Sequence, residues 1–144
     1  MKIVHDDQYT ARIFLTNNLF TSYMARVMIA DDSEAVRLTL RDMLEAGKHK
    51  IVAESVDGND TLKKFDSVKP DVLLLDVAMP KKDGLEVLVE IMKYNPKAKV
   101  VMITAHDDME LIENCIKVGA SAYITKPFNT DDILQVVSYT FEEK

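Results

Sequence analysis

Val72-Leu73-Leu74-Leu75-Asp76-Val77-Ala78-Met79-Pro80 is an apolar run bounded by Pro70 and Pro80 and broken by a single carboxylate. A run this short and this apolar reads as a strand buried on both faces. An apolar interior disfavours an ionised acid, which places Asp76 at the strand's carboxyl end, where a crevice can solvate it. Taken alone, Asp76 reads equally well as the first residue of the following loop. The choice rests on what else reaches the same edge.

The chain around this run changes period repeatedly. Val27–Ala30 is a short apolar strand ending in Asp31-Asp32, and Ser33–Ala46 is helical, with Val36, Leu40, Met43 and Leu44 on one stripe and Gly47 as its stop. Lys50–Ser55 is a second strand, Asp57-Gly58-Asn59 a turn, and Asp60–Val68 a short helix closed by Pro70. After the Asp76 strand come the loop Met79–Gly84 and a helix over Leu85–Tyr94 that Pro96 forbids from continuing. Lys99–Thr104 is a strand, Asp108–Val118 a helix ended by Gly119, and Ala120–Thr125 a strand; Asn129 or Thr130 then caps a last helix to about Phe141. Strand and helix thus alternate five times, which implies a parallel sheet with helices on both faces and a ligand edge at the strands' carboxyl ends.

Composition narrows the function. The chain has 144 residues, 47% hydrophobic, enough for one domain with a substantial core. A net charge of -6 argues against nucleic acid and anionic membrane surfaces as main partners. No apolar run approaches the ~20 residues of a membrane span, and the N-terminus shows no signal peptide. Cys115, the single cysteine, cannot form an internal disulfide, which fits a cytoplasmic protein, and mid-helix it reads as a small core residue. Residues 1–23 show neither strand nor helix period and are expected to be an N-terminal extension, either without a role or packed on the domain; residues 24–144 form the domain.

Three carboxylates (Asp31, Asp32, Asp76), the Thr104 hydroxyl and the Lys126 ammonium all fall at strand ends. Singly, each has an ordinary explanation as helix cap, satisfied hydroxyl or solvated lysine. Together they describe one crevice. Three acids cannot ionise side by side without a cation, and a shallow oxygen site suits Mg²⁺. One carboxylate is then free as nucleophile, with metal and Lys126 neutralising an arriving phosphoryl group and Thr104 placed to hydrogen-bond one of its oxygens.

These residues resemble the receiver domain of two-component response regulators, most closely the stand-alone CheY-like type. The likeness is carried by Asp31-Asp32, Asp76-Val77-Ala78-Met79-Pro80 with Asp83-Gly84, Thr104-Ala105, and Tyr123 with Lys126-Pro127-Phe128. It implies a flavodoxin-like, doubly wound (βα)5 fold, a parallel five-stranded sheet in the order 2-1-3-4-5. It implies that Asp76 takes a phosphoryl group from a histidine kinase or phosphotransfer protein. Asp32, Asp76 and the Ala78 carbonyl would hold Mg²⁺ directly and Asp31 largely through water. Lys126 would pair first with Asp76 and then with the phosphoryl group, aimed by a cis Lys126–Pro127 peptide. Thr104 and Tyr123 would form the switch, Tyr123 moving inward as Thr104 is drawn to the phosphoryl oxygen. Ala78 and His106 flank the site where the family tunes phosphoryl lifetime; Ala78 offers no side chain to hold an attacking water, and His106 reads as a kinase contact, a water ligand or, most simply, a loop residue.

The helix after Thr104 carries an apolar excess. Leu111, Cys115 and Val118 make one stripe and Met109, Ile112 and Ile116 a second beside it, together about half the circumference against the ~100° usual for a helix on one layer. Two readings compete. The neighbours bury all six, or Met109, Ile112 and Ile116 stand at least partly exposed beside Tyr123 and Val136 as the face that docks a phosphorylation-dependent target. The family's use of this helix–strand–helix face points to the second. The expected protein is therefore a single-domain phosphoacceptor, not an enzyme beyond its own phosphotransfer and dephosphorylation, in chemotaxis or another pathway; the chain ends just after the fifth helix, with no output domain. The alternatives are an intermediate phosphorelay carrier and a Mg²⁺-dependent phosphohydrolase with an aspartate nucleophile. Such hydrolases carry Asp-x-Asp-x-Thr after the first strand, whereas here the acceptor follows the third and Ala78 stands where the second Asp would be.

Overall fold

The computed structural model describes residues 2–3, 24–105 and 108–143. Five strands, β1 (Arg26–Ala30), β2 (Lys50–Ser55), β3 (Val72–Asp76), β4 (Val100–Thr104) and β5 (Ala122–Thr125), pair in parallel in the order 2-1-3-4-5. Between and after them run α1 (Glu34–Ala46), α2 (Gly58–Val68), α3 (Gly84–Tyr94), α4 (Met109–Val118) and α5 (Thr130–Glu142). This is the flavodoxin-like arrangement expected from the sequence. A further strand, Lys2–Ile3, pairs with β5 at the sheet edge, Lys2 opposite Ala122 and Ile3 opposite Tyr123, and leaves the order of the other five unchanged. Residues 4–23 and His106 lie outside the described residues, and with them the expectations placed there. No helix among the described residues is long and apolar enough to cross a membrane.

The apolar runs form strands because each can bury both faces. Val72 and Leu74 of β3 pack into one core with Val27, Ile29, Val101 and Ile103. Leu73 and Leu75 point the other way, into a second core with Met28, Ala30, Val100 and Met102. Side chains alternating along a strand make two cores from one sheet. The first is closed by Leu40 and Leu44 of α1 and Ile133, Val136 and Val137 of α5. The second is closed by α2, α3 and α4 through residues such as Phe65, Leu88 and Cys115.

Helix starts follow local side-chain chemistry. Ser33, Asp57, Asp83, Asp108 and Asn129 each cap a helix by accepting a backbone N–H, and Asp83 with Glu86 and Asn129 with Asp132 complete reciprocal capping boxes. Asp57 as a cap moves the start of α2 to Gly58, two residues before the predicted start at Asp60. The strand from Val72 ends at Asp76, as expected, and the Val77 carbonyl turns to accept from the Gly84 N–H at the start of α3.

Candidate functional site

The carboxyl ends of the strands gather the acids. Asp31 and Asp32 follow β1, and Asp76 ends β3, one strand away. Each offers an oxygen within 4.8 Å of the other two. Asp31 and Asp76 are buried; Asp32 faces solvent. Thr104, buried, ends β4 one residue beyond Ile103, the register partner of Asp76. Lys126 follows β5, its backbone N–H held by the Thr104 carbonyl at 2.8 Å. Its Nζ stands 3.5 Å from Asp31 Oδ2 and 3.8 Å from Asp76 Oδ1, one cation shared by two acids. The Lys126–Pro127 peptide is cis.

Local geometry fixes each acid. The Asp31 N–H donates to the Ser55 carbonyl (3.1 Å), and Asp31 Oδ1 accepts from the Ser33 N–H at 2.8 Å. Asp31 Oδ2 is buried and has no hydrogen-bond partner among the described residues. Asp76 Oδ1 accepts from the Ala78 N–H at 3.2 Å. A Cβ on Gly84 would stand 2.4 Å from the Asp76 carbonyl oxygen, so only glycine lets α3 begin against the acceptor's backbone.

These positions have an electrostatic cost. Burial, then the neighbouring Asp31 charge, push the Asp76 carboxyl up to about 6, and Lys126 offsets only part of this. A buried carboxylate oxygen with a lysine at 3.5 Å and no hydrogen bond among the described residues, beside two further acids, is part of a donor set that a hard divalent cation satisfies. Mg²⁺ fits these residues.

The expected residues divide into three groups. Asp31, Asp32, Asp76 and Lys126 come together, with Thr104 at the adjoining strand end. Ala78 is exposed and contributes its N–H to Asp76 and a methyl toward solvent. Tyr123 is buried. The predicted docking patch needs correction. Met109 is 50% exposed and Ile116 partly exposed, but Ile112 is only 3% exposed and lies in the second core with Cys115. Helix α4 is rotated so that Ile112 and Cys115, three apart on one face, point at the sheet. Val136 is 2% exposed and belongs to the first core, on the opposite side of the sheet from Tyr123, because α5 covers that face. A continuous patch through Ile112, Tyr123 and Val136 does not form.

Sequence reasoning passed over several residues that shape the site. Ser33 caps α1 and also orients Asp31. Arg37 reaches back to the Asp31 carbonyl at 2.8 Å. Asp57 pairs with Lys81 (3.4 Å), tying the loop after β2 to the loop after Asp76, where Lys81 adopts a left-handed backbone (φ 69°). The Asp57-Gly58 and Pro80-Lys81 signals were visible as turns; their pairing is tertiary.

Residues 27–138 match the family model described as the response regulator receiver domain. The chain belongs to that family. It is 38% identical over 114 residues to a chemotaxis protein CheY of Listeria monocytogenes, covering 79% of this chain and 96% of that one. It is 30% identical to a CheY of Bacillus subtilis over 115 residues, covering 80% of this chain and 96% of the other. Among solved structures, it resembles a CheX-CheY-BeF3-Mg²⁺ complex from Borrelia burgdorferi with a TM-score of 0.79 at 31% identity, covering 82% of this chain and 90% of that one. Receiver domains hold Mg²⁺ at a cluster of acids of this kind, and they are signalling proteins.

Proposed function

We propose that this chain is a cytoplasmic response regulator receiver in which Asp76 accepts a phosphoryl group from a histidine kinase or phosphotransfer protein and thereby alters affinity for a protein target. One observation carries this reading: three acids lie within 4.8 Å of one another at the carboxyl edge, and among the described residues Lys126 pairs with two of them, Asp31 and Asp76, leaving the buried Asp76 poorly compensated beside the exposed Ala78. Asp32, Asp76 and the Ala78 carbonyl are the residues that would hold Mg²⁺, with Asp31 behind them. Bound there, the ion supplies positive charge to the phosphoryl oxygens.

The chain's own residues do the rest. An Asp76 oxygen attacks phosphorus as the donor's N–P bond breaks, and the donor imidazole leaves with that electron pair. The product is an acyl phosphate on Asp76, later released as inorganic phosphate by water. Lys126, held through its backbone by Thr104, follows the charge from the carboxylate to the phosphoryl group. The Thr104 hydroxyl, at the adjacent strand end, turns to a phosphoryl oxygen, and α4, β5 and α5 carry the change outward beside Tyr123. Met109 and Ile116, the exposed part of α4, are the proposed contacts on that face. Chemotaxis is the pathway most in keeping with the CheY relatives.

Intact-mass spectrometry after incubation with acetyl phosphate and Mg²⁺ tests the reading. A single added phosphoryl group, absent without the metal and absent in Asp76→Asn, is expected. Steady turnover of small phosphoesters without accumulation of phosphoprotein would instead make the chain a hydrolase.

A further inference from the structure

Asp31 and Asp32 sit on the turn between β1 and α1, and a turn of this length is only as rigid as the contacts that hold its peptide groups. The Asp31 N–H is taken by Ser55 of β2 and Asp31 Oδ1 by Ser33. The Asp31 carbonyl is taken by neither. It accepts from Arg37 Nη1 at 2.8 Å, a side chain one turn into α1. Arg37 is itself fixed, its Nε 3.4 Å from Glu54 Oε1. The other oxygen of Glu54 accepts from Arg41 Nε at 2.8 Å. Glu54 precedes Ser55 on β2, so both ends of the Asp31 residue are tied to consecutive positions of one strand, directly at the N–H and through Arg37 at the carbonyl. The Arg37 and Glu54 side chains are 15% and 23% exposed, which shelters this linkage from solvent screening.

The freedom left to Asp31 is what makes the linkage matter. With its backbone and Oδ1 held, Asp31 presents Oδ2, the buried oxygen without a hydrogen-bond partner, toward Lys126 and Asp76. Loss of the carbonyl contact would let the peptide joining Asp31 to Asp32 rotate, changing the aim of both acids at once. We propose that Arg37, braced by Glu54, is a positioning residue that sets the acid pair for divalent-cation binding and phosphoryl acceptance. The proposal rests on the reading of this edge as a Mg²⁺ site. Arginine suits the role because its planar fork holds separate nitrogens at fixed spacing toward the carbonyl and the carboxylate, whereas a lysine ammonium is a single point on a flexible stem.

The test compares wild type, Arg37→Met, Arg37→Lys, Glu54→Gln and Arg26→Met in two measurements. Arg26 provides the control: it too donates to backbone carbonyls, those of Lys69 and Val68 at 2.7 Å each, but at the other end of the sheet. Isothermal titration with Mg²⁺ is expected to show Arg37→Met weakened roughly tenfold or more, the usual cost of losing a partner that orients metal ligands. Arg37→Lys and Glu54→Gln should fall between it and wild type, and Arg26→Met should match wild type. In metal-free protein, hydrogen exchange at the Ser33 amide should quicken in Arg37→Met and not in Arg26→Met, since that amide reports how firmly Asp31 Oδ1 is held. Equal Mg²⁺ affinity and equal Ser33 exchange in wild type and Arg37→Met would overturn the proposal while leaving the metal site standing. A wild type that binds no Mg²⁺ would overturn both.

Discussion

The two ends of the sheet use the same charged groups to opposite effect. At the amino end, the Arg26 N–H donates to Asp71 Oδ2 at 2.8 Å, the Asp71 N–H donates back to the Arg26 carbonyl, and the Arg26 guanidinium caps the last carbonyls of α2. Donors there meet acceptors. At the carboxyl end, among the described residues, three acids gather while Lys126 pairs with two of them, Asp31 Oδ2 has no hydrogen bond, and burial beside Asp31 drives the Asp76 pKa up to about 6. The first end closes the fold. The second is left short of positive charge, and that shortage is what a cation and a phosphoryl group can relieve.

Removing the uncompensated charge should therefore stabilise the protein. The carboxyl of Asp76 titrates near 6 folded and near 3.8 in an ordinary setting, so between those values the folded chain holds a proton that the unfolded chain has released. Wild-type stability without metal is then greatest below pH ~3.8 as far as this group is concerned, and falls as pH rises toward and through 6. Asp76→Asn should gain up to about 3 kcal/mol in urea denaturation at pH 7, nearly all of it lost at pH 4. Saturating Mg²⁺ should shrink the gap. Equal stability at pH 7 would erase the contrast between the two ends.

Crowding at the carboxyl end gives a smaller effect of the opposite sign. The Cβ of Gly84→Ala would meet the Asp76 carbonyl oxygen at 2.4 Å and Val77 Cα at 2.7 Å, both backbone atoms that cannot swing away. A loss of about 2 kcal/mol is expected, with altered amide shifts at Val77 and Ala78. At the amino end, Asp71→Ala strips the Arg26 N–H of its acceptor and should cost about 1 kcal/mol, leaving phosphoryl uptake unchanged. If Asp71→Ala slowed phosphorylation as much as it lowered stability, the two ends would not be separable.

Much of this was legible in the chain. Short apolar runs gave the five strands, and the acid, threonine or lysine at or just after four of their ends gave the functional edge, because burial on both faces leaves strand termini as the place for charge. The outer side of α4 was not legible. Leu111, Ile112, Cys115 and Ile116 cover adjacent angles of the helix, and sequence does not say which angle faces the sheet; the reading that exposes Ile112 is the one that packing contradicts. Val136 failed for a related reason: an amphipathic α5 fits either face of a sheet, and it covers the first core rather than the face that holds Tyr123. Arg37 and Glu54 read as ordinary surface charges, since nothing local brings α1 against β2.

The most direct measurement is a carbon-detected NMR titration of the Asp76 carboxyl, with and without Mg²⁺. An apparent pKa near 6 without metal, displaced strongly downward when Mg²⁺ is present, is the predicted result. An Asp76 that titrates in the ordinary carboxylate range and ignores Mg²⁺ would contradict the account of the carboxyl edge.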